Sequence, residues 1–145
     1  MLILVSACRS ELFPHTQRVD PDAVGEIRRI GKVLVGSDSE STWDGVTQVT
    51  KILAIDIGIP DKESVVSAAG KLLEKQGWAM VINKDPDSAW MESHKWDNLG
   101  IMIKGIGYYE SHDGVDSIEE KAIKTARMQS DSQGIVILEV EPTGE

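Results

Sequence analysis

The chain has 145 residues, with 24 acidic against 15 basic side chains and a formal charge of −9. A length of that order makes one domain, able to bury roughly 68–70% of its unfolded surface. The basic residues are scattered, with Arg28-Arg29 the longest run, which speaks against a phosphate backbone as partner, and no stretch reaches the roughly 20 apolar residues of a membrane-spanning helix. An acidic balance keeps a protein soluble and monomeric; it also fits an immunity-type protein that neutralises a basic toxin.

The first element is Leu2-Ile3-Leu4-Val5, apolar, followed by the small residues Ser6 and Ala7 and then Cys8, the single cysteine of the chain. One cysteine excludes an internal disulfide, a thiolate zinc cluster and a CxxC redox pair. By residue type and length, LILV suits an N-terminal β-strand. Val5, Ser6, Ala7 and Cys8 also resemble the lipobox of bacterial lipoproteins, an apolar residue and two small ones before the cysteine. The resemblance implies that Cys8 is lipidated and anchors the chain to the extracytoplasmic face of a cell membrane. A secretory signal has a basic start and a 7–15-residue apolar stretch. Residues 1–8 would therefore be the remnant of a longer signal.

Residues 9–22 hold Pro14, His15, Pro21 and charged residues without periodicity, and read as a tether. The remainder, 23–145, reads as a single domain. Ala23 to Ile30 suits a short helix or strand, and Val33-Leu34-Val35 a short strand. Gly36 to Gly45 (GSDSESTWDG) reads as a turn, because Gly, Ser and Asp supply backbone freedom and local hydrogen bonds. Val46 to Ile57 is a strand, with Val49, Leu53, Ile55 and Ile57 on one face, ended by Gly58 and Pro60. The two strands around the Asp-Gly turn form an antiparallel hairpin.

Asp61 to Gln76 is the clearest helix. Val65, Val66, Ala69, Leu72 and Leu73 make one apolar stripe, and Gly77 stands in the C-terminal stop position. Gly70 inside it suits close packing on a sheet. Three strands follow, Trp78 to Ile82, Ala89 to Ser93 and Leu99 to Tyr108. Ser117 to Gln129 is the second helix, opened by the capping-box pattern Ser117 to Glu120, with Ile118, Ala122, Ile123 and Ala126 as its stripe. Ile135 to Val140 is apolar at nearly every position, as expected of a strand in the middle of a sheet. The whole predicts an α+β domain: a mainly antiparallel sheet of five to six strands with both helices on one face, close to the split βαβ plan with an added hairpin.

Candidate chemistry is sparse. The histidines, His15, His94 and His112, lack the spacing of a helix-borne metal pair. Glu110, Asp113, Asp116, Glu119 and Glu120 cluster around His112, but their spacing misses the EF-hand pattern, and negative charge at a helix start serves the dipole. GIGYYE (105–110) places Glu110 where a dinucleotide loop needs glycine. No G-x-S-x-G elbow occurs. The expected catalytic, metal and cofactor assignments are therefore none. Aromatic usage is unusual, with four Trp but one Phe and two Tyr. Trp90, Glu92, His94 and Trp96 alternate, so an extended chain would put them on one face. They would there either close the core edge, as favoured for Trp78 and Trp90, or form a contact patch for a protein partner. Gly77-Trp78 after a helix, Trp90-Met91-Glu92-Ser93 and the apolar last strand resemble small secreted or lipidated actinobacterial proteins. The expectation is an exported, lipid-anchored, non-catalytic binding domain. A cytoplasmic or periplasmic protein-binding module, such as an acidic immunity-type protein, and a small hydrolase or metal-dependent enzyme, are the alternatives.

Overall fold

The computed structural model of the chain describes residues 15–58, 62–111 and 117–143. The elements in order are β1 (His15–Gln17), α1 (Pro21–Ile27) with a 3-10 turn over Arg28–Ile30, β2 (Lys32–Trp43), β3 (Val46–Asp56), α2 (Val65–Glu74), β4 (Trp78–Lys84), β5 (Ser88–Ser93), β6 (Leu99–Gly105), α3 (Ile106–Ser111), α4 (Ser117–Gln129) and β7 (Ile135–Pro142). The class is α+β, as expected. The sheet has seven strands, with β3, β7, β6, β5 and β4 in that spatial order. Strand β2 pairs along the whole of β3 on its outer edge. On the other edge β3 is shared, by β1 at residues 46–48 and by β7 at residues 51–56. Every pairing is antiparallel except β1 with β3.

Period-two alternation divides the sheet into two apolar faces. Leu53 and Ile55 of β3, Val136, Leu138 and Val140 of β7, and Ile101 and Ile103 of β6 face one side, where Ala23, Val24 and Ile27 of α1 and Val66, Ala69 and Leu73 of α2 cover them. Ile52, Ala54, Ile135 and Ile137 face the other side, under Ile106 of α3 and Ala122 and Ala126 of α4. Strand β7 is apolar on successive residues because both its faces are covered, and it lies between β3 and β6 as its composition predicts.

The two long helices therefore do not share a face. The two paths diverge at Gly105. A Cβ there would sit 3.0 Å from Cγ1 of Val65, so α2 already occupies the first face at the end of β6. The strand expected to run to Tyr108 stops at Gly105, and Ile106 opens a helix that leaves toward the second face. Strands β6 and β7 become antiparallel neighbours, so of the two connections that carry the long helices only β3–α2–β4 is a crossover, and the split βαβ plan is not followed at the second connection.

Three other segments differ from the sequence reading. Gly36 to Trp43 is strand, not turn: β2 is 12 residues long. An edge strand needs backbone pairing rather than apolar side chains, and its outer positions tolerate Ser, Asp and Glu. Cross-strand pairs reinforce the register, Asp38 with Lys51 at 3.1 Å and the hydroxyls of Thr42 and Thr47 at 3.0 Å. The turn contracts to Asp44 and Gly45, with φ of 47° and 76°, the left-handed pair that a two-residue hairpin requires.

Residues 15–22 belong to the domain and are not a tether. The His15 amide donates to the Gly45 carbonyl at 2.8 Å, and Val19 packs against the core. Asp20 caps α1 by accepting from the Asp22 amide at 2.8 Å, with Pro21 at the first turn, where a missing N–H costs nothing. Cys8 and the apolar run before it lie outside the described residues.

Helix α2 begins at Val65, capped by Ser64, whose Oγ accepts from the Ser67 amide at 3.0 Å; residues 59–61 lie outside the described residues. The helix ends before Gly77, at φ 97°. Gly70 permits close packing as expected, since a Cβ there would meet Cε of Met80 at 3.1 Å.

Candidate interaction face

The second face of the sheet is covered unevenly. Helix α4 lies over β2 and β3, and α3 over the ends of β6 and β7. The β4–β5 side carries apolar groups to solvent. Ile82, Trp90 and Met102 stand opposite one another across β4, β5 and β6, followed in the same row by Glu139 of β7. The β4 register shifts between Met80 and Ile82, and this bulge inserts Val81 beside Ile82 on the sheet edge. Val81 is 53% exposed and Ile82 49%, while Trp90 and Met102 are half-buried. Large apolar side chains grouped on one surface mark contact sites more often than isolated ones do.

Carboxylates flank the row. Glu92 accepts from the Trp90 indole N–H at 2.9 Å. Glu139 pairs with Lys104 at 3.2 Å, and the Lys104 ammonium lies 5.1 Å from the Tyr108 ring centroid. Burial pushes the Glu141 carboxyl above its ordinary range, the nearby charge of Glu139 adds to this, and Lys104 opposes it. The face is thus an apolar platform with a charged border, Glu92 and Glu141 on one side of the row and Lys84 and Lys104 on the other.

Of the residues singled out from sequence, Cys8 lies outside the described residues, and Trp90, His94 and Trp96 do not share a surface. The alternation stops at Ser93. Its Oγ accepts from the amides of Lys95 at 2.9 Å and Trp96 at 2.6 Å, and the His94 amide donates to the Gly77 carbonyl at 3.0 Å. These bonds bend the chain to the first face, where Trp96 packs partly buried against the core. The Lys95 ammonium lies 5.2 Å over the Trp96 ring and pairs with Glu26. The Lys95 bond is the main reason that the Glu26 carboxyl sits below its ordinary range. His94 is exposed. Trp78 is core, 3% exposed. Trp90 is not, because Ala89 and Met91 take the core face of β5 and Trp90 points to the other.

The acidic cluster around His112 falls largely outside the described residues, as do His112, Asp113 and Asp116 themselves. Glu120 pairs with Lys124 one turn on, at 3.2 Å. Among the described residues no group of His, Cys, Asp and Glu is placed to hold a metal ion, and no helix is long and apolar enough to cross a membrane. Sequence reading missed Val81, Ile82 and Met102. The available signal was the adjacent pair Val81-Ile82 at a strand end, where alternation alone places one of two apolar residues in water. Comparison with protein-family models, with curated proteins and with solved structures finds no significant match to this chain.

Proposed function

We propose that the chain is a non-catalytic interaction domain whose contact surface is the open sheet face formed by Val81, Ile82, Trp90 and Met102. The observation that carries this reading is the exposure of Val81 and Ile82 beside a half-buried tryptophan on the uncovered side of the sheet. Tryptophan is enriched among interface anchors, and the apolar centre with a charged border has the anatomy of a protein contact. With Glu92 and Glu141 at one side of that border and a chain charge of −9, the reading favours a basic protein partner, including the toxin–immunity arrangement.

Location is a second component of the proposal. Cys8 in its lipobox-like setting would carry the lipid that holds the domain at a membrane. His15, the first described residue, stands seven positions beyond Cys8, a reach of at most about 25 Å when fully extended. The domain would then lie close to the bilayer surface.

A photo-crosslinking amino acid placed at position 82 in the natural host tests the contact. The proposal expects a discrete protein adduct from position 82 and none from position 128, where Met128 is 86% exposed on the far helix. Equal labelling from both positions would refute the contact face. Detergent-phase partitioning that is lost in Cys8→Ser tests the anchor; partitioning unchanged by that substitution would refute it.

A further inference from the structure

The strongest unassigned feature is a cavity on the first face of the sheet, between α1 and the β2–β3 hairpin. It measures about 310 Å³, the lower end of the range for small-molecule sites. Val49 and Lys51 of β3 and Asp38 of β2 line it from the sheet, Val24 and Arg28 from α1 and the turn after it, and Arg18 and Val19 from the segment before α1. Three cations thus meet around one pocket in a chain with an excess of nine negative charges.

One of the three is already compensated. Lys51 pairs with Asp38 at 3.1 Å. The other two are not: among the described residues, neither Arg18 nor Arg28 makes an ion pair or side-chain hydrogen bond. The Arg28 guanidinium lies over the hairpin, since a Cβ built on Gly36 would come 3.9 Å from one of its nitrogens. Gly36 and Asp38 both face the α1 side, opposite Leu53 and Lys51.

Converging like charges repel, and the arrangement costs stability unless an anion offsets it. A guanidinium presents a planar fork that matches the oxygens of phosphate or carboxylate. The lining carries two more positive than negative charges, which matches a phosphate monoester with about −1.5 to −2 charges at neutral pH better than it matches a monovalent carboxylate. Val19, Val24 and Val49 add an apolar wall beside the cations. We propose that this pocket binds a phosphate monoester with a short apolar substituent, Arg18 and Arg28 holding the phosphate and the valines its organic part. The inference does not depend on the open sheet face, which lies on the other side of the sheet.

Such a phosphate can belong to a soluble metabolite or to a lipid headgroup. Calorimetric titration of the protein with butyl phosphate, sn-glycerol 3-phosphate and dioctanoyl phosphatidic acid distinguishes them. The proposal expects saturable binding of butyl phosphate. Tighter binding of glycerol 3-phosphate than of the lipid assigns a soluble source, and the reverse order a headgroup. Arg28→Gln and Arg18→Gln should each weaken butyl phosphate by about tenfold, the loss of one charge-assisted contact. Arg29→Gln, exposed and outside the pocket, should leave it unchanged. Both pocket arginines are exposed, so these variants should keep the fold, with a Tm at or slightly above the parent's as the repulsion is relieved, and the titration then reports binding alone. Absence of saturable binding by any of the three probes, or an equal loss in Arg29→Gln, would overturn the proposal.

Discussion

The indole of Trp90 occupies the space above Gly100: a Cβ built on Gly100 would fall 2.2 Å from ring carbons Cη2 and Cζ2. No side chain at position 100 can coexist with the ring where it stands. Gly100→Ala should therefore expel the indole from its seat and break its bond to Glu92. Overpacking of this kind costs about 1–3 kcal/mol. The expected outcome is a lowered denaturation midpoint together with a red-shifted tryptophan emission. In the Trp90→Ala background the same Gly100→Ala change should cost much less, because the clash has gone. Additive losses in the double variant would show that the two residues do not share this space.

Acid and neutral pH should load different carboxylates. The folded-state values of Glu26 and Glu63 lie below the ordinary 4.5, held chiefly by hydrogen bonds from Lys95 and Lys71. A depressed carboxylate contributes stability that is present above the ordinary value and lost as pH falls through the folded one. Glu141 has the opposite sign: its folded value is raised, first by burial, so its contribution is present below 4.5 and lost as pH rises through the raised value. Glu26→Gln should lower Tm at neutral pH and converge with the parent in strong acid. Glu141→Gln should raise Tm at neutral pH. Thermal melts across the acid range check both. A neutral-pH Tm of Glu141→Gln below the parent's would contradict the burial of that carboxyl.

Composition and period carried much of the fold. Strand β7 is central because Ile135 to Leu138 leave no polar side for water, and α2 is amphipathic because Val66, Ala69 and Leu73 repeat at helical spacing. What was not legible depends on partners distant in sequence. The Ser, Asp and Glu of β2 look like a turn until β3 supplies the backbone ladder and Lys51 the counter-charge. Trp90 looks like core until its neighbours Ala89 and Met91 claim that face. Residues 15–22 look like a tether because three residues of β1 have no period to detect; Gly45 and β3 give them their place. The open face was illegible for the same reason: Ile82, Trp90 and Met102 are brought together by register alone. The pocket joins Arg18 of the segment after β1, Arg28 of the 3-10 turn and Lys51 of β3, which only the fold brings to one place.

The tryptophans should separate by position rather than by size. Trp78 is nearly fully buried in the first-face core, so Trp78→Ala should cost roughly 3–5 kcal/mol, as for other large core side chains. Trp43 is 48% exposed at the hairpin tip, and Trp43→Ala should stay within about 0.5 kcal/mol of the parent, as surface changes do. Trp96→Ala should fall between them, since that ring is half-buried and carries Lys95 over it. Urea denaturation of the three variants gives the order. A loss at Trp96 exceeding that at Trp78 would mean that the bend after Ser93 anchors the core more than the start of β4 does.

Two glycines test whether backbone contact or side-chain space sets the tolerance of this fold. Gly134 enters β7 against the turn after β3: a Cβ on it would lie 2.1 Å from the carbonyl oxygen of Gly58. The neighbouring Ile57 amide donates to the Gly134 carbonyl at 2.9 Å, and the Ser132 hydroxyl accepts from the Gly134 amide at 3.0 Å. A backbone atom cannot rotate away as a side chain can, so the junction must open, and those bonds must lengthen or break. Each hydrogen bond contributes about 0.5–1.5 kcal/mol net, which puts Gly134→Ala among the more damaging single substitutions. Gly25 is the counter-case. It lies within α1 and a Cβ there meets nothing within 4 Å, so Gly25→Ala should stabilise by about 0.5–1 kcal/mol through lower chain entropy and better helix propensity. Equilibrium unfolding of the two alanine variants should move the midpoint in opposite directions. A tolerated alanine at 134 would mean that the β3 turn does not approach β7 as closely as described.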